Sequence, residues 1–270
     1  MSDLPGPDFR SLIQQHSGDV ADIRRTERGF MSDITAVVES EKGTFFVKAM
    51  KNKPGGRLDS LSRERLVNPA VHGISPHLLW YAEDEAWAVL GFEYIEGRHA
   101  DITPGSPDLA AVTDVIDRIG RLELPDVAKD WRETRWDRFA ENAAAEAELF
   151  AGDALLYTDI HPSNVIIGAE SVWAVDWAWP TRGAAFIDPA LLVLQLVAAG
   201  HTPAEAESWA DRCDAWVTAD PVAVDAFAAA TVRMYTVFTE RKPDSAWLRA
   251  MANAARSWTE HRGVKVSPPE

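Results

Sequence analysis

The sequence predicts an α+β chain of two lobes, a small β-rich lobe over residues 1–96 and a larger, mainly helical lobe over 97–270. Three observations predict it. Between Phe30 and Tyr94 the apolar residues fall in short runs rich in β-branched and aromatic side chains. Past the polar stretch around Pro104-Gly105-Ser106-Pro107 they recur at helical spacing instead. The 270 residues, 46% hydrophobic and 26% charged, have ordinary globular composition and enough length for one large domain or two modest ones.

Taken in order, Phe30–Glu39 and Thr44–Met50 are β-rich runs joined by Ser40-Glu41-Lys42-Gly43, which reads as a hairpin turn. Leu58–Val71 has helical periodicity, with Asp59 and Ser60 as candidate caps. The runs His77–Ala82 and Ala86–Tyr94 complete a sheet of four or five strands with one inserted helix. Helical segments then follow at Asp108–Leu124, Trp131–Phe150, Ala190–Ala199, Ala204–Thr218, Val222–Glu240 and Ser245–His261. Two short β runs, Asn164–Ile167 and Val172–Trp177, interrupt them, separated by Gly168-Ala169-Glu170-Ser171. No internal repeat is present.

Composition excludes several classes. With 27 basic and 42 acidic side chains the net charge is −15, which disfavours nucleic acid and anionic membrane surfaces as partners. The single cysteine, Cys213, excludes an intrachain disulfide or a multi-cysteine zinc site and fits a reducing cytoplasm. The opening Met-Ser-Asp-Leu-Pro-Gly-Pro lacks the features of a signal peptide, and the apolar stretch Pro189–Gly200 is too short to span a bilayer. A cytoplasmic protein is the expectation.

The chemistry concentrates in Tyr157-Thr158-Asp159-Ile160-His161-Pro162-Ser163-Asn164 and in Val172-Trp173-Ala174-Val175-Asp176-Trp177. A hairpin across Gly168–Ser171 returns Asp176 close to Asn164, so that a carboxylate and an amide oxygen converge. Magnesium takes such oxygen ligands, with phosphates and waters completing its shell. Asp159, on the loop just before, then faces the phosphate. Taken singly, loop Asp and Asn residues also simply satisfy turns.

In these positions the chain resembles the kinase-like phosphotransferases, and more closely the aminoglycoside phosphotransferase family of antibiotic kinases. That resemblance implies a protein-kinase-like two-lobe fold, with Asp159 as the catalytic aspartate that orients the acceptor hydroxyl and receives its proton, and Asn164 and Asp176 as magnesium ligands. Two features depart from it. Tyr157 stands where the family usually has histidine, and Asp176-Trp177-Ala178 replaces Asp-Phe-Gly.

Upstream, alternation in Phe45-Phe46-Val47-Lys48-Ala49-Met50 puts Lys48 on the same face as Phe46 and Met50, an odd place for a solvated lysine. By resemblance Lys48 contacts the nucleotide phosphates and Glu64 orients it; a surface helix charge is the alternative for Glu64. Backbone groups around Glu93 and Ile95 would read the purine edge, leaving ATP or GTP open as donor. Ser32 is the candidate in a phosphate loop that has only one glycine, Gly29. Asp188 before Pro189 reads as a helix N-cap. Arg182 is a loop arginine that could touch substrate, and Trp173, Trp177 and Trp179 belong either to a stacking pocket or to the core. Asp211, Asp214, Asp220 and Asp225 form either an amine-binding cluster or a solvated face.

The expected function is transfer of the γ-phosphoryl group of ATP or GTP, with magnesium, to a hydroxyl of an antibiotic of aminoglycoside, peptide or nucleoside type. The alternatives are a metabolic kinase with a choline- or homoserine-like acceptor, or an idle nucleotide-binding scaffold.

Overall fold

The computed structural model describes residues 7–26, 32–141 and 143–267. Along the chain run α1 (Pro7–Ser17), β1 (Val20–Arg25), β2 (Ile34–Ser40), β3 (Gly43–Lys51), α2 (Gly56–Val67), β4 (Leu78–Glu83), β5 (Trp87–Glu93) and the two-residue β6 (Arg98–His99). Then come α3 (Leu109–Gly120), α4 (Ala143–Leu149), β7 (Ala154–Leu156), β8 (Val165–Ile167), β9 (Val172–Ala174), β10 (Thr181–Gly183) and α5 (Ile187–Ala198). The chain closes with α6 (Pro203–Ala210), α7 (Asp214–Val217), α8 (Pro221–Arg241) and α9 (Ala246–His261). It packs as two units: residues 1–98 with Gly168–Trp179, and His99–Ile167 with Pro180–Glu270. The sequence reading divides the chain after residue 96 and keeps 168–179 with the helical lobe.

The first unit is built on an antiparallel sheet in the order β1-β2-β3-β5-β4. The β2–β3 turn falls where Gly43 allows it, at φ 121°, with Ser40 paired to Gly43. One face of the sheet carries Ile23, Ile34, Ala36, Val38, Phe45, Val47 and Ala49 against Phe9, Leu12 and Ile13 of α1. The other carries Met50, Ala88, Leu90 and Phe92 against Leu61 of α2. Helix α1 and strand β1 have no counterpart in the sequence reading. Helix α2 starts two residues before the expected Leu58 and is capped by Gly55, at φ 145°, not by Asp59 or Ser60. The start of the expected Phe30–Glu39 run, and Gly29 with it, lie outside the described residues.

In the second unit α8 packs on α9, α5 on α6 and α9, and α3 on α5. Apolar positions of α3, namely Leu109, Val112, Val115, Ile116 and Ile119, are all buried, as their spacing requires. Side chains fix the helix starts: Thr202 and Glu205 form a capping box on α6, Asp220 caps α8 and Ser245 caps α9. By length and composition α8 could cross a membrane, but 61% of its apolar stretch is buried inside the fold.

Two expected helices break. Trp131–Phe150 is mostly irregular before α4, because its backbone pairs with β10: the Glu133 amide donates to the Arg182 carbonyl at 2.8 Å and Arg182 returns a bond to Trp131 at 2.7 Å. Ala204–Thr218 splits into α6 and α7 at Cys213, whose backbone is extended, and the Asp214 amide turns to the Asp117 carboxylate at 2.9 Å.

Candidate functional site

In the first unit β3 places Lys48 on the face that packs against α2, beside Met50, where it is 5% exposed. Glu64 lies on the buried face of α2 with Ser60, Leu61 and Val67. The Lys48 Nζ donates to Glu64 Oε2 at 2.7 Å and to Asp176 Oδ1. The surface alternative for Glu64 does not describe this arrangement. Burial alone would lower the Lys48 pKa, but Glu64 and Asp176 reverse it and hold the ammonium protonated above the ordinary lysine range. Burial pushes the Glu64 carboxyl up, the Lys48 ammonium pulls it back, and Asp176 adds to the rise. Lys48 therefore joins two acids that lie 112 positions apart in the sequence.

Asp176 follows β9, which is tied to the first unit by the Ala174 amide donating to the Ile74 carbonyl at 2.8 Å. Its φ of 64° lies in the left-handed region that non-glycine residues seldom occupy. Next to it Trp177 is 1% exposed and donates its indole N–H to the Ala174 carbonyl at 3.1 Å, anchoring the turn. Trp177 is thus a core residue. The expected turn is present, with the Gly168 amide donating to the Ser171 carbonyl at 2.9 Å.

The other first-unit candidates are placed as follows. Ser32 is half-buried, and its hydroxyl has no hydrogen-bond partner among the described residues. The Glu93 amide donates to the His77 carbonyl at 2.8 Å, so that donor is already engaged; Ile95 lies just beyond the end of β5.

The second unit contains the Tyr157–Asn164 loop. Its Asn164 Nδ2 donates to the Asp159 carbonyl at 3.1 Å, which orients the side-chain amide. His161 Nδ1 accepts from the Ser163 amide at 3.2 Å and caps the short turn at Pro162. Thr158, just before Asp159, has φ 63°, the second non-glycine residue in the left-handed region among the described residues. Both such residues adjoin or belong to the candidate set, where strain is commonly retained.

The anchor of this loop is Asp188. The sequence suggests an N-cap, but α5 begins at Ile187 and Phe186 occupies the cap position. Instead the Asp188 carboxylate, 1% exposed, accepts the amides of Tyr157 and Thr158, each at 2.8 Å. Burial raises its pKa to about 6 against the opposing pull of those two amides. The Tyr157 ring is fully buried, with its hydroxyl 3.5 Å from the Asn164 carbonyl. The loop is thus held through its backbone, whatever the identity of residue 157.

Around the loop lie residues the sequence did not single out. Glu133 is buried and accepts from Arg135 and from the Thr181 hydroxyl. Tyr235 of α8 is buried; burial pushes its phenol up to about 12, Arg135 opposes, and Asp159 adds to the rise. A tyrosine within an apolar helix gives no signal of such a neighbour. Arg182 hydrogen-bonds the Lys129 carbonyl at 2.9 Å. Of the four clustered aspartates, Asp220 caps α8, Asp225 pairs with Arg262 at 2.6 Å and Asp214 with Arg121 at 3.0 Å. Cys213 is buried, and burial pushes its thiol up to about 12, the state of a packing residue.

No protein-family model and no curated protein sequence matches the chain. Solved structures do. The choline kinase LicA from Streptococcus pneumoniae is 14% identical, with 94% of this chain and 98% of that one aligned at a TM-score of 0.63. An aminoglycoside phosphotransferase from Alicyclobacillus acidocaldarius is 13% identical over 98% of both chains, also at 0.63. A microcompartment-associated aminopropanol kinase is 12% identical over 97% and 100% of the two chains at 0.60. At such identity the likeness is one of fold, and it spans nearly the whole chain. The protein has the kinase-like α+β fold that these aminoglycoside phosphotransferase and choline kinase structures share.

Proposed function

We propose that the protein is a small-molecule kinase that transfers the γ-phosphoryl group of ATP or GTP to an alcohol. One observation carries the reading: a buried lysine on the central strand of a kinase-like sheet is held by an acid from the following helix and by the acid after β9. An ammonium so placed is oriented and permanently charged, as contact with nucleotide phosphates requires.

In this reading Lys48 binds the α- and β-phosphates and Glu64 orients it. The Ser32 hydroxyl is a further phosphate donor, and the backbone at Ile95, with the Glu93 carbonyl, reads the purine edge. Asp159 orients the acceptor hydroxyl and takes its proton late in the transfer. Asn164 Oδ1 and Asp176 are hard oxygen donors suited to magnesium, which would neutralise phosphate charge when bound. Among the described residues no group of three or more His, Cys, Asp or Glu forms a cage. Two protein oxygens are enough for a cation that takes its remaining ligands from phosphate and water. Such an enzyme would work in the cytoplasm, where its nucleotide is.

The acceptor we favour is an antibiotic of aminoglycoside, peptide or nucleoside type, whose phosphorylation would confer resistance or self-protection. A choline-like amino alcohol is the second reading, favoured by the choline and aminopropanol kinases among the structures sharing the fold. Their substrates, like aminoglycosides, join a hydroxyl to a cation, and a net charge of −15 attracts cations while disfavouring nucleic acid and anionic membranes. The test is nucleoside-diphosphate release from ATP and GTP with magnesium, across aminoglycosides, peptide and nucleoside antibiotics, choline and aminopropanol. Acceptor-dependent release supports the reading and names the acceptor class. Nucleotide binding with no release for any acceptor would mark an idle scaffold.

A further inference from the structure

Beside the Asp159 loop, within the second unit, two polar side chains keep hydrogen-bonding capacity that no described residue uses. Glu133 is 3% exposed and grips Arg135, whose Nε donates to Oε1 at 3.0 Å and to Oε2 at 3.1 Å while Nη2 donates to Oε2 at 2.6 Å. The Thr181 hydroxyl donates to the same Oε2 at 2.8 Å. Thr181 pairs with Leu156 of β7, from which the chain enters Tyr157-Thr158-Asp159. Arg135 is exposed, and its Nη1 has no hydrogen-bond partner among the described residues.

Tyr235 approaches the same place from α8. Trp136 donates its indole N–H to the Thr231 hydroxyl at 3.0 Å, and the Arg135 guanidinium lies over its ring, 5.0 Å from the centroid. Tyr235 stands one turn beyond Thr231 on that side of the helix. Its side chain is 7% exposed, yet its hydroxyl has no hydrogen-bond partner among the described residues and is not sealed from solvent. The charges its phenol responds to are those of Arg135 and Asp159. Burial of the ring fixes where the hydroxyl sits, so binding through it needs little further ordering.

A phenol both donates and accepts, whereas a guanidinium only donates. Glu133 neutralises Arg135 and Asp159 adds a negative charge, so a neutral oxygen suits this place better than a carboxylate or phosphate. A trimethylammonium has no N–H for the phenol and no oxygen for Arg135, and an ammonium would meet the like charge of the guanidinium. We propose that Tyr235 and Arg135 hold a second hydroxyl of the acceptor beside the one that Asp159 orients, and so select polyhydroxylated acceptors, of sugar or nucleoside type, over simple amino alcohols. The proposal rests on the kinase reading and chooses among its acceptor classes.

Steady-state kinetics across the acceptor panel named above tests it, with kanamycin and uridine as polyhydroxylated probes and choline and aminopropanol as single-hydroxyl ones. The kcat/KM for kanamycin or uridine is expected to exceed that for either amino alcohol at least tenfold, since a site that bonds a hydroxyl rejects the analogue lacking it. Tyr235→Phe keeps the ring and loses no hydrogen bond within the fold. It should unfold at the wild-type temperature and bind nucleotide unchanged by calorimetry, while KM for the polyhydroxylated acceptor rises at least fivefold. Arg135→Lys, which leaves Glu133 a cation, should raise the same KM at least threefold. A preference for choline, aminopropanol or a peptide antibiotic, or an unchanged KM in Tyr235→Phe, would overturn the proposal and leave the kinase reading standing. Transfer to none of the panel would overturn both.

Discussion

Asp188 holds Thr158 by its backbone: the carboxylate of a residue in α5 accepts the amide of the residue preceding Asp159 at 2.8 Å, and the Tyr157 amide equally. Both amides are buried, and a buried amide left unmatched costs about 1–3 kcal/mol. Asp188→Ala is therefore expected to destabilise the fold by several kcal/mol. Asp188→Asn keeps one acceptor oxygen but sets an N–H against the other amide. In that variant we expect kcat to fall at least tenfold while the nucleotide Kd stays within about threefold, as measured by steady-state kinetics and calorimetry. A proportional loss of nucleotide affinity would mean that Asp188 supports the whole fold and not the loop.

The same carboxyl makes stability depend on pH. Its folded pKa is raised from 3.8 to about 6, so between those values the folded state binds more protons than the unfolded one. Stability contributed by this group is present below about pH 4 and declines as pH rises through about 6. The lift corresponds to roughly 3 kcal/mol. Urea unfolding of wild type and Asp188→Asn across pH 4 to 7 should show the stability difference between them shrinking toward high pH. A constant difference would contradict the assignment.

The Lys48–Glu64 pair is buried on both sides, so removing one partner strands the other. Lys48→Met is expected to cost about 3–5 kcal/mol, since two carboxylates lose their cation. Adding Glu64→Gln should give back part of that loss, with a coupling of about 1–3 kcal/mol in a double-mutant cycle. Additive effects would show that the two side chains do not depend on each other.

Gly91 of β5 lies opposite Trp80 of β4, and a Cβ there would stand 2.0 Å from the indole Cε2. Gly91→Ala should cost about 2 kcal/mol or more by overpacking. Trp80→Ala in the same chain should recover part of it. Thermal unfolding of the three variants checks this, and a neutral Gly91→Ala would refute the close packing.

What could be read in the sequence was local. The β2–β3 hairpin followed from Glu41-Lys42-Gly43, and Lys48 stood out because alternation placed a charge among Phe46 and Met50. Asp159, Asn164 and Asp176 stand out by their spacing within short segments, and the roles proposed for them come from the family resemblance. The role of Asp188 was not legible, because Asp-Pro at a helix start has the same local pattern whether the carboxylate caps its own helix or reaches back thirty residues. Trp131–Phe150 has helical spacing, but the backbone of β10 pairs with Trp131 and Glu133. Gly91 gave no hint of Trp80, since a glycine in a strand does not name its partner. Contacts between distant segments decided each of these.

The central claim is that Asp159 handles the acceptor hydroxyl in a magnesium-dependent phosphoryl transfer. Its most direct test compares wild type and Asp159→Ala in single-turnover transfer with the best acceptor, alongside nucleotide binding with and without magnesium. We predict that transfer falls at least a thousandfold while magnesium–nucleotide affinity changes less than threefold. Transfer at the wild-type rate in Asp159→Ala would contradict the account.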